Sequence, residues 1–186
     1  EVVKELTKQG VEVIHSLNQV SEGTVIITAH GSSPFKKERL ENMEGVEVMD
    51  TTCPRVSYIH RMVRKFLRAN REILIYGDRQ HQEVKGIEGA AEGKAYVFSS
   101  IKGLSRLDIS ANSKVGLVAQ TTQNKEKFKE IKKEVKKRFQ DVSVYDTICN
   151  TVSWRQQEAR RMAASNDLML VVGSPSSANT NRLYQV

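Results

Sequence analysis

The 186-residue chain has only two cysteines, Cys53 and Cys149, and no apolar run near the roughly 20 residues that span a membrane. So few cysteines favour metal or redox chemistry over structural disulfides. The first residues form a polar helical pattern instead of a signal peptide. A hydrophobic content of 39% and a charged content of 27% fit a folded globular chain. The sequence therefore predicts a cytoplasmic protein with no membrane partner.

The chain also lacks a base-reading or aromatic stacking motif, which argues against nucleic acid as a partner despite the net charge of +7. Much of this charge comes from residues 125–138, where apolar residues recur at helical spacing on the face opposite the lysines. Two interpretations stay open for this segment. It forms either a solvated helix face or a docking surface for an acidic partner.

The two cysteines occupy equivalent places in two copies of one motif. Residues 50–57 read D-T-T-C-P-R-V-S and residues 146–153 read D-T-I-C-N-T-V-S, an offset of 96 positions that also relates 70–77 to 166–173. Such a repeat indicates one structural unit used at least twice. Extending the period backwards places a third cysteine upstream of Glu1, so the chain is predicted to be a fragment of a larger, pseudo-threefold protein.

Short β-rich runs alternate with helical patterns along the chain, which predicts an α/β fold of repeated parallel-sheet units. The predicted strands are 11–14, 24–28, 46–49, 72–76, 95–98, 115–119, 142–145 and 168–172. The predicted helices are 2–8, 35–42, 54–69, 83–90, 125–139, 153–165 and one from about residue 178. The repeat divides the chain into the remainder of a first unit (1–52), a second unit (53–148) and the start of a third (149–186).

Ligands of parallel sheets bind beyond the carboxyl ends of the strands, where this chain carries several polar residues. His30 follows strand 24–28, and His81 follows strand 72–76. These histidines are candidates for acid–base groups, hydrogen-bond donors to an anion, or metal ligands. Glu83, the only carboxylate close to His81 in sequence, is the best candidate for a proton donor.

A Gly-Ser-Pro-Ser-Ser segment at 173–177 precedes the last predicted helix and resembles an anion-binding nest. Together with backbone N–H groups, Thr121, Ser177 and Asn179 are the candidates to hold phosphate oxygens. Serine- and glycine-rich turns are common, so this segment is informative only beside the other candidates.

Cys53 precedes Pro54, a residue that suits the first position of a helix. A thiol at a helix N-terminus is favoured as thiolate, the form that ligates zinc or an iron–sulfur cluster. Cys149 is expected to be placed similarly. Two cysteines complete neither a four-iron site nor, without histidine, a tetrahedral zinc site.

Five motifs in this order resemble the 4-hydroxy-3-methylbut-2-enyl diphosphate reductase family, iron–sulfur enzymes of the non-mevalonate isoprenoid pathway. The motifs are T-A-H-G at 28–31, D-T-T-C-P at 50–54, H-x-E-V-x-G at 81–86, Q-T-T at 120–122, and D-T-I-C at 146–149 with R-Q at 155–156. A sixth, V-V-G-S through N-T-N-R-L, ends at residue 183. The resemblance covers nearly the whole chain, which looks like the middle two-thirds of a family member.

The resemblance implies a trefoil of three α/β units around a central 4Fe–4S cluster with one iron open to the substrate. Cys53 and Cys149 would be two of three cysteine ligands, the third lying outside this chain. The implied binders of the allylic diphosphate are His30, His81, Ser177 and Asn179. Glu83 with Thr121 would deliver a proton, and ferredoxin or flavodoxin would supply electrons. The fragment itself is predicted to be inactive.

Two other functions remain open at this point. In one, the chain is a non-catalytic module that binds phosphate or a nucleotide, and its cysteines are incidental. A third hypothesis is a zinc-dependent module that uses Cys53, Cys149 and His81. Metal analysis and substitution of both cysteines separate these hypotheses.

Overall fold

A computed structural model describes residues 2–175 and 177–185 and shows alternating strands and helices. The helices are α1 (Val2–Lys8), α2 (Pro34–Glu41), α3 (Pro54–Arg68), α4 (Gln82–Ala90), α5 (Ile101–Ser105), α6 (Lys125–Arg138), α7 (Asn150–Ala164) and α8 (Ala178–Tyr184). The strands are β1 (Gly23–Ile27), β2 (Val46–Asp50), β3 (Glu72–Tyr76), β4 (Ala95–Phe98), β5 (Lys114–Ala119) and β6 (Asp141–Val144). None of the helices so described is long and apolar enough to cross a membrane.

The larger of two sheets has four parallel strands in the order β4-β3-β5-β6. Its central strand β3 is apolar on both sides, and Ile73, Leu74 and Ile75 are fully buried. Such a strand is typical of a parallel sheet that carries helices on both faces. The predicted α/β fold with parallel sheets is therefore confirmed.

Two hydrophobic clusters hold helices to the two faces of this sheet. On one face α3 and α4 pack Ile59, Val63, Phe66 and Ile87 against the sheet. A Cβ atom at Gly116 of β5 would collide with the Phe66 ring, so the glycine allows α3 to lie close to the sheet. On the other face α5 and α6 bury their own apolar residues, Leu104, Phe128, Ile131 and Val135.

The smaller sheet consists of β1 and β2 alone, paired in parallel from Gly23 opposite Val46 to Ile27 opposite Asp50. Helix α2 packs on it, with Leu40 buried. The carboxyl ends of β1, β3 and β5 lead into the loops that carry the predicted site residues. The candidate site therefore lies at the carboxyl ends of these strands.

Two predicted strands, 11–14 and 168–172, are wrong. Both segments are irregular, and Leu168, Leu170 and Val172 are 77%, 78% and 94% exposed. A strand forms only when a neighbour takes its hydrogen bonds, and no strand among residues 2–175 and 177–185 pairs with either segment. In the first copy of the repeat, β3 gains its neighbours β4 and β5 from later in the chain.

The predicted helices all form, with small shifts at their ends. Helix α7 begins at Asn150, three residues earlier than predicted, because Cys149 takes the N-cap position. The short helix α5 was not predicted. Ser100 caps it by accepting a hydrogen bond from the Gly103 N–H. A helix of five residues is too short to show a helical pattern of apolar residues, so the sequence hardly indicates it.

Candidate functional site

A cavity of about 350 Å³ lies where the loops after β1 and β3 meet the start of α8. Four of the predicted binding residues line it, His30, His81, Ser177 and Asn179. Gln80, Gln82, Thr122 and Ala178 complete its wall. The structure thus brings together residues that are up to 149 positions apart, from His30 to Asn179. Ser176 of the predicted nest lies outside the described residues.

His81 both caps a helix and lines the cavity. Its Nδ1 accepts a hydrogen bond from the Glu83 N–H at 3.2 Å and so caps the N-terminus of α4. Burial, and then the charges of His30 and Arg182, lower the pKa of His81, although Asp78 opposes them. A neutral His81 whose Nδ1 accepts must carry its proton on Nε2. The Nε2–H is therefore a free donor, and the His30 ring lies edge-on at 5.3 Å.

Glu83 and Thr121 form a buried pair beside this cavity. The Thr121 N–H donates to Glu83 Oε1 at 2.6 Å, and the Thr121 hydroxyl donates to Oε2 at 2.7 Å. Burial raises the pKa of Glu83, and the two hydrogen bonds from Thr121 and the charge of His30 only partly oppose this effect. Glu83 therefore holds a proton at a higher pH than an exposed glutamate does. Such a group is suited to proton donation.

Two buried glutamines fix the loop that carries Thr121. The Gln120 Oε1 accepts hydrogen bonds from the Asp78 N–H at 3.0 Å and from Gln123 Nε2 at 3.1 Å. Its Nε2 donates to the Thr122 hydroxyl at 2.9 Å. A satisfied buried network of this kind restricts loop motion. The sequence indicated Gln120 as part of the Q-T-T motif that follows a strand, without its hydrogen bonds, and did not single out Gln123.

The two cysteines occupy matching positions, as the repeat predicts. Cys53 is the N-cap of α3 and Cys149 the N-cap of α7, and neither side chain takes part in capping. The Cys53 N–H donates to the carbonyl of Ala29 at 3.1 Å, next to His30. The Cys149 N–H donates to the carbonyl of Thr121 at 2.9 Å. Both thiols are thereby tied to the loops of the cavity.

The repeat extends to hydrogen bonds that the sequence did not reveal. The Thr51 hydroxyl donates to the carbonyl of Ile27 at 2.6 Å, and its counterpart Thr147 donates to the carbonyl of Ala119 at 2.6 Å. Asp50 pairs with Lys37 at 2.7 Å, and Asp146 pairs with Lys132 at 3.4 Å. Each cysteine loop is thus fastened to the preceding strand and helix. The shared Asp-Thr of both motifs was the available signal.

The cysteine environment fits a thiolate ligand of a metal cluster. Burial raises the pKa of the Cys149 thiol, but hydrogen bonds from the N–H groups of Val152 and Thr151 and from the Thr151 hydroxyl lower it overall. The positive charge of Arg55 acts in the same direction, so the N-terminus of α3 lies near Cys149. Both cysteines are free and half-buried. Each thiol is at the N-terminus of a helix, α3 for Cys53 and α7 for Cys149.

A complete metal site is absent from residues 2–175 and 177–185. No group of three His, Cys, Asp or Glu side chains there is arranged to hold a metal ion. Cys53, Cys149 and His81 all lie within these residues. The structure therefore does not support the zinc hypothesis, whereas two thiolates fit a cluster that takes its third cysteine from elsewhere.

His60 is a buried residue near the site that the sequence did not single out. It is 7% exposed, and its Nε2 has no hydrogen-bond partner among the described residues. Burial, and then the charge of Arg64, lower its pKa to about 4, against a smaller effect of Asp50. Gly31 and Gly86 leave room for the ring, since a Cβ atom on either would lie within 3.5 Å of it. His60 therefore fills the space between the His30 loop and α4.

Comparison with known proteins gives one consistent family. A family model described as LytB protein matches residues 1–186. The 4-hydroxy-3-methylbut-2-enyl diphosphate reductase of Geobacter metallireducens is 37% identical over 186 residues, all of this chain and 65% of the relative. That of Aquifex aeolicus is 38% identical over 166 residues, 88% of this chain and 56% of the relative. The chain thus spans slightly less than two thirds of the length of these relatives.

Two solved structures share the fold. The E-1-hydroxy-2-methyl-but-2-enyl-4-diphosphate reductase from Plasmodium falciparum superposes with a TM-score of 0.89 at 30% identity, over 97% of this chain and 57% of that one. A structure of (E)-4-hydroxy-3-methyl-but-2-enyl diphosphate reductase, described as the terminal enzyme of the non-mevalonate pathway, gives a TM-score of 0.72 at 37% identity. That match covers 98% of this chain and 65% of the other.

Proposed function

Because the chain belongs to the LytB family, we propose that it carries the central part of a 4-hydroxy-3-methylbut-2-enyl diphosphate reductase. The reaction replaces the allylic C–OH of the substrate by C–H, consumes two electrons and two protons, and releases water. Its products are isopentenyl and dimethylallyl diphosphate. The observation that carries the proposal is the buried Glu83–Thr121 pair, which lies between the cavity and the backbone of Cys149.

Cys53 and Cys149 would hold two irons of a 4Fe–4S cluster. Their positions at helix N-termini stabilise thiolates, and the N–H groups of Val152 and Thr151 donate to Cys149. When bound, such a cluster supplies electrons and a Lewis acid for the C–O bond. The third cysteine would come from outside this chain, since the chain has only two. We therefore expect the 186 residues alone to be inactive.

The cavity residues would bind the diphosphate with imidazole, hydroxyl and amide donors. His81 offers its Nε2–H, because its Nδ1 is occupied by the Glu83 N–H. The Ser177 hydroxyl already accepts from the Thr180 N–H, and its own proton is free to point at an anion. His30 and Asn179 add an imidazole and an amide from two other sides. These donors would anchor the tail so that the reacting carbon is held in place.

Glu83 would act as the source of a proton, with Thr121 as its relay. A protonated Glu83 carries the proton on Oε2, because the backbone N–H of Thr121 is already directed at Oε1. It would then donate to the Thr121 oxygen, 2.7 Å away, and free the Thr121 hydroxyl proton for the substrate. Both pair members are buried, which shields the transfer from water. This relay would let the substrate hydroxyl leave as water.

The unit boundaries of the repeat remain part of the proposal. We assign 1–52 to the first α/β unit, 53–148 to the second and 149–186 to the third, in a trefoil around the cluster. In support, β1 and β2 fall within 1–52 and all four strands of the larger sheet fall within 53–148. Electrons would come from ferredoxin or flavodoxin, in a cytoplasmic setting.

Anaerobic reconstitution of the complete reductase that includes this chain tests the cluster. We expect a brown, oxygen-sensitive protein with about four irons per chain. A Cys53→Ser, Cys149→Ser double variant should stay colourless, while its unfolding temperature changes little. A Ser105→Ala variant, altered on the exposed side of α5, serves as a control and should load iron normally. An unaltered protein that stays colourless and iron-free, together with a double variant that binds phosphate ligands as tightly as the unaltered protein, would support the non-catalytic phosphate-binding module instead.

A further inference from the structure

Helix α3 carries an unusual concentration of positive charge. Its 15 residues include five basic side chains and no acidic one: Arg55, Arg61, Arg64, Lys65 and Arg68. Within residues 2–175 and 177–185, no ion pair joins any of the five to a carboxylate. The charge of α3 is therefore not neutralised by ion pairs within the part of the chain that the structure describes.

Helix α6 provides a comparison for α3, because it also carries many basic residues. It has more basic residues than α3, but three acidic residues are interspersed among them. Lys129 pairs with Glu126 and Lys137 with Glu134, each one turn away. Lys132 reaches Asp146. Helix α6 is thus partly paired, although Lys133 and Lys136 have no ion pair among the described residues. Helix α3 differs in having no acidic residue of its own and no paired cation within the same residues.

The charges of α3 form one continuous face. Tyr58 is followed by Arg61, Lys65 and Arg68 at positions i+3, i+7 and i+10, which lie on the same side of a helix. The opposite side packs Val56, Ile59 and Val63 into the core. Arg61, Lys65 and Arg68 are exposed. We call Tyr58, Arg61, Lys65 and Arg68 the α3 face.

One end of the α3 face, at Tyr58, lies towards the end of the helix where Cys53 is the N-cap. Tyr58 is five residues after Cys53, about 7.5 Å along the helix axis. The Tyr58 ring meets the Tyr145 ring edge-on at 6.3 Å, and Tyr145 is four residues before Cys149. Arg61 lies over the Tyr58 ring at 5.3 Å and Lys65 over the Tyr145 ring at 5.9 Å. The aromatic rings thus position two cations without cancelling their charge.

From this arrangement we propose that the α3 face is the docking surface for an acidic electron-carrier protein. The proposal rests on the proposed function, because only a redox enzyme needs such a carrier. Unpaired cations attract an acidic protein over a distance of about one Debye length, roughly 10 Å at moderate salt. Docking here would place the carrier beside Tyr58, five residues after Cys53, and beside Tyr145, four residues before Cys149. The occupant is a protein whose contact surface is rich in Asp and Glu.

The test compares two charge reversals of equal size in the complete, cluster-loaded reductase. Arg61→Glu with Lys65→Glu alters the α3 face, and Lys133→Glu with Lys136→Glu alters exposed, unpaired positions of α6. Binding of an oxidised, acidic [2Fe–2S] ferredoxin is measured by calorimetry at low and moderate salt. We expect the α3 variant to bind at least tenfold more weakly than the unaltered protein, and the α6 variant to bind within about threefold of it. The difference should shrink as salt rises.

A second readout separates this proposal from the proposed function. Reduction of the substrate is measured with the ferredoxin and with reduced methyl viologen, a small cation that needs no docking surface. We expect the α3 variant to lose most of the ferredoxin-driven rate and keep the viologen-driven rate. A viologen-driven rate of zero in the unaltered protein would contradict the proposed function, while the binding arm would still decide the docking.

Three results would overturn the docking proposal. In the first, the α3 variant binds ferredoxin as tightly as the unaltered protein does. In the second, the α6 variant loses as much affinity for ferredoxin as the α3 variant. In the third, the α3 variant loses affinity only for duplex DNA or anionic vesicles. A milder variant, Arg61→Gln with Lys65→Gln, guards against a folding defect, and we expect it to weaken ferredoxin binding by a smaller factor. Binding unchanged in both α3 variants would count against the proposal.

Discussion

At the scale of single residues, burial sets the charge of the two ionisable side chains that lie deepest near the site. Burial raises the pKa of Glu83, so this carboxyl tends to keep its proton. Burial lowers the pKa of His60 to about 4, so this imidazole stays neutral. Both effects have the same cause, because a low-dielectric interior disfavours the charged form of either group. The two groups consequently affect stability in opposite directions as the pH changes.

His60 makes the folded state sensitive to acid. Its pKa is about 4 in the folded protein and has the ordinary histidine value of 6.5 in the unfolded chain, which therefore binds more protons between these values. The contribution of His60 is therefore complete above pH 6.5 and is lost as the pH falls towards 4, a total of about 3 kcal/mol. We predict that a His60→Leu variant lacks this part of the pH dependence in urea unfolding. A His15→Leu variant, altered at an exposed histidine, should keep it, and equal slopes for the unaltered and His60→Leu proteins would contradict the account.

Sequence alone predicted much of the site at this scale. The Cys-Pro pair indicated a helix N-terminus at Cys53, and the 96-residue offset transferred it to Cys149. The strand pattern also selected His30 and His81, which follow β1 and β3. Ser177 and Asn179 line the cavity as well, although the strand predicted before them at 168–172 does not form. The hydrogen bond between Gln120 and Asp78 was not predictable, because the two residues are 42 positions apart in the sequence. The burial of His60 was not predictable either, because it depends on contact with Gly86 of another helix, α4.

At the scale of elements, the Asp-Thr-x-Cys loop occurs twice, and the threonine that holds it to the preceding strand is buried in one copy and exposed in the other. The Thr147 hydroxyl donates a hydrogen bond to the carbonyl of Ala119 and accepts one from the Ala119 N–H at 2.8 Å. Thr147 is buried. The Thr51 hydroxyl donates to Ile27, but Thr51 is exposed. One motif thus has a rigid copy and a more accessible copy. Water can replace the bond of Thr51, but it cannot reach that of Thr147.

Replacement of each threonine by valine tests this inequality. Thr147→Val keeps the shape but leaves the Ala119 N–H and carbonyl without that partner, so the free energy of unfolding should fall by about 3 kcal/mol. Thr51→Val should cost less than about 1 kcal/mol, since water takes over. Urea unfolding of both variants gives the comparison. Equal losses would mean that the two loops are held by something other than these hydroxyls.

Element prediction failed where a strand depended on a neighbour. Residues 168–172 have the apolar sequence of a buried strand and repeat β3 at the 96-residue offset. Their side chains stay exposed because no described strand takes their hydrogen bonds. Residues 11–14 fail for the same reason. Local composition predicts the capacity to form a strand, whereas pairing decides whether it forms.

At the scale of the whole molecule, two sheets direct their carboxyl ends towards one region. The loop after β1 carries His30 and leads through β2 to Cys53, and the loop after β5 carries Thr121, whose carbonyl binds the Cys149 N–H. The cavity lined by His30 and His81, the buried Glu83–Thr121 pair and the two cysteine loops therefore meet there. The sequence predicted this meeting from the repeat and the α/β pattern. The width of the cavity and the pairing of Glu83 with Thr121 required the structure.

The central claim is that Glu83 delivers a proton through Thr121 while the cavity binds the diphosphate. Glu83→Gln preserves the shape and both contacts with Thr121 but has no acidic proton to give. In single-turnover reactions of the complete, cluster-loaded reductase with 4-hydroxy-3-methylbut-2-enyl diphosphate, we predict that this variant forms product at least about a hundredfold more slowly. Substrate affinity should stay within about threefold. A Glu83→Gln variant that forms product at the unaltered rate would contradict the account.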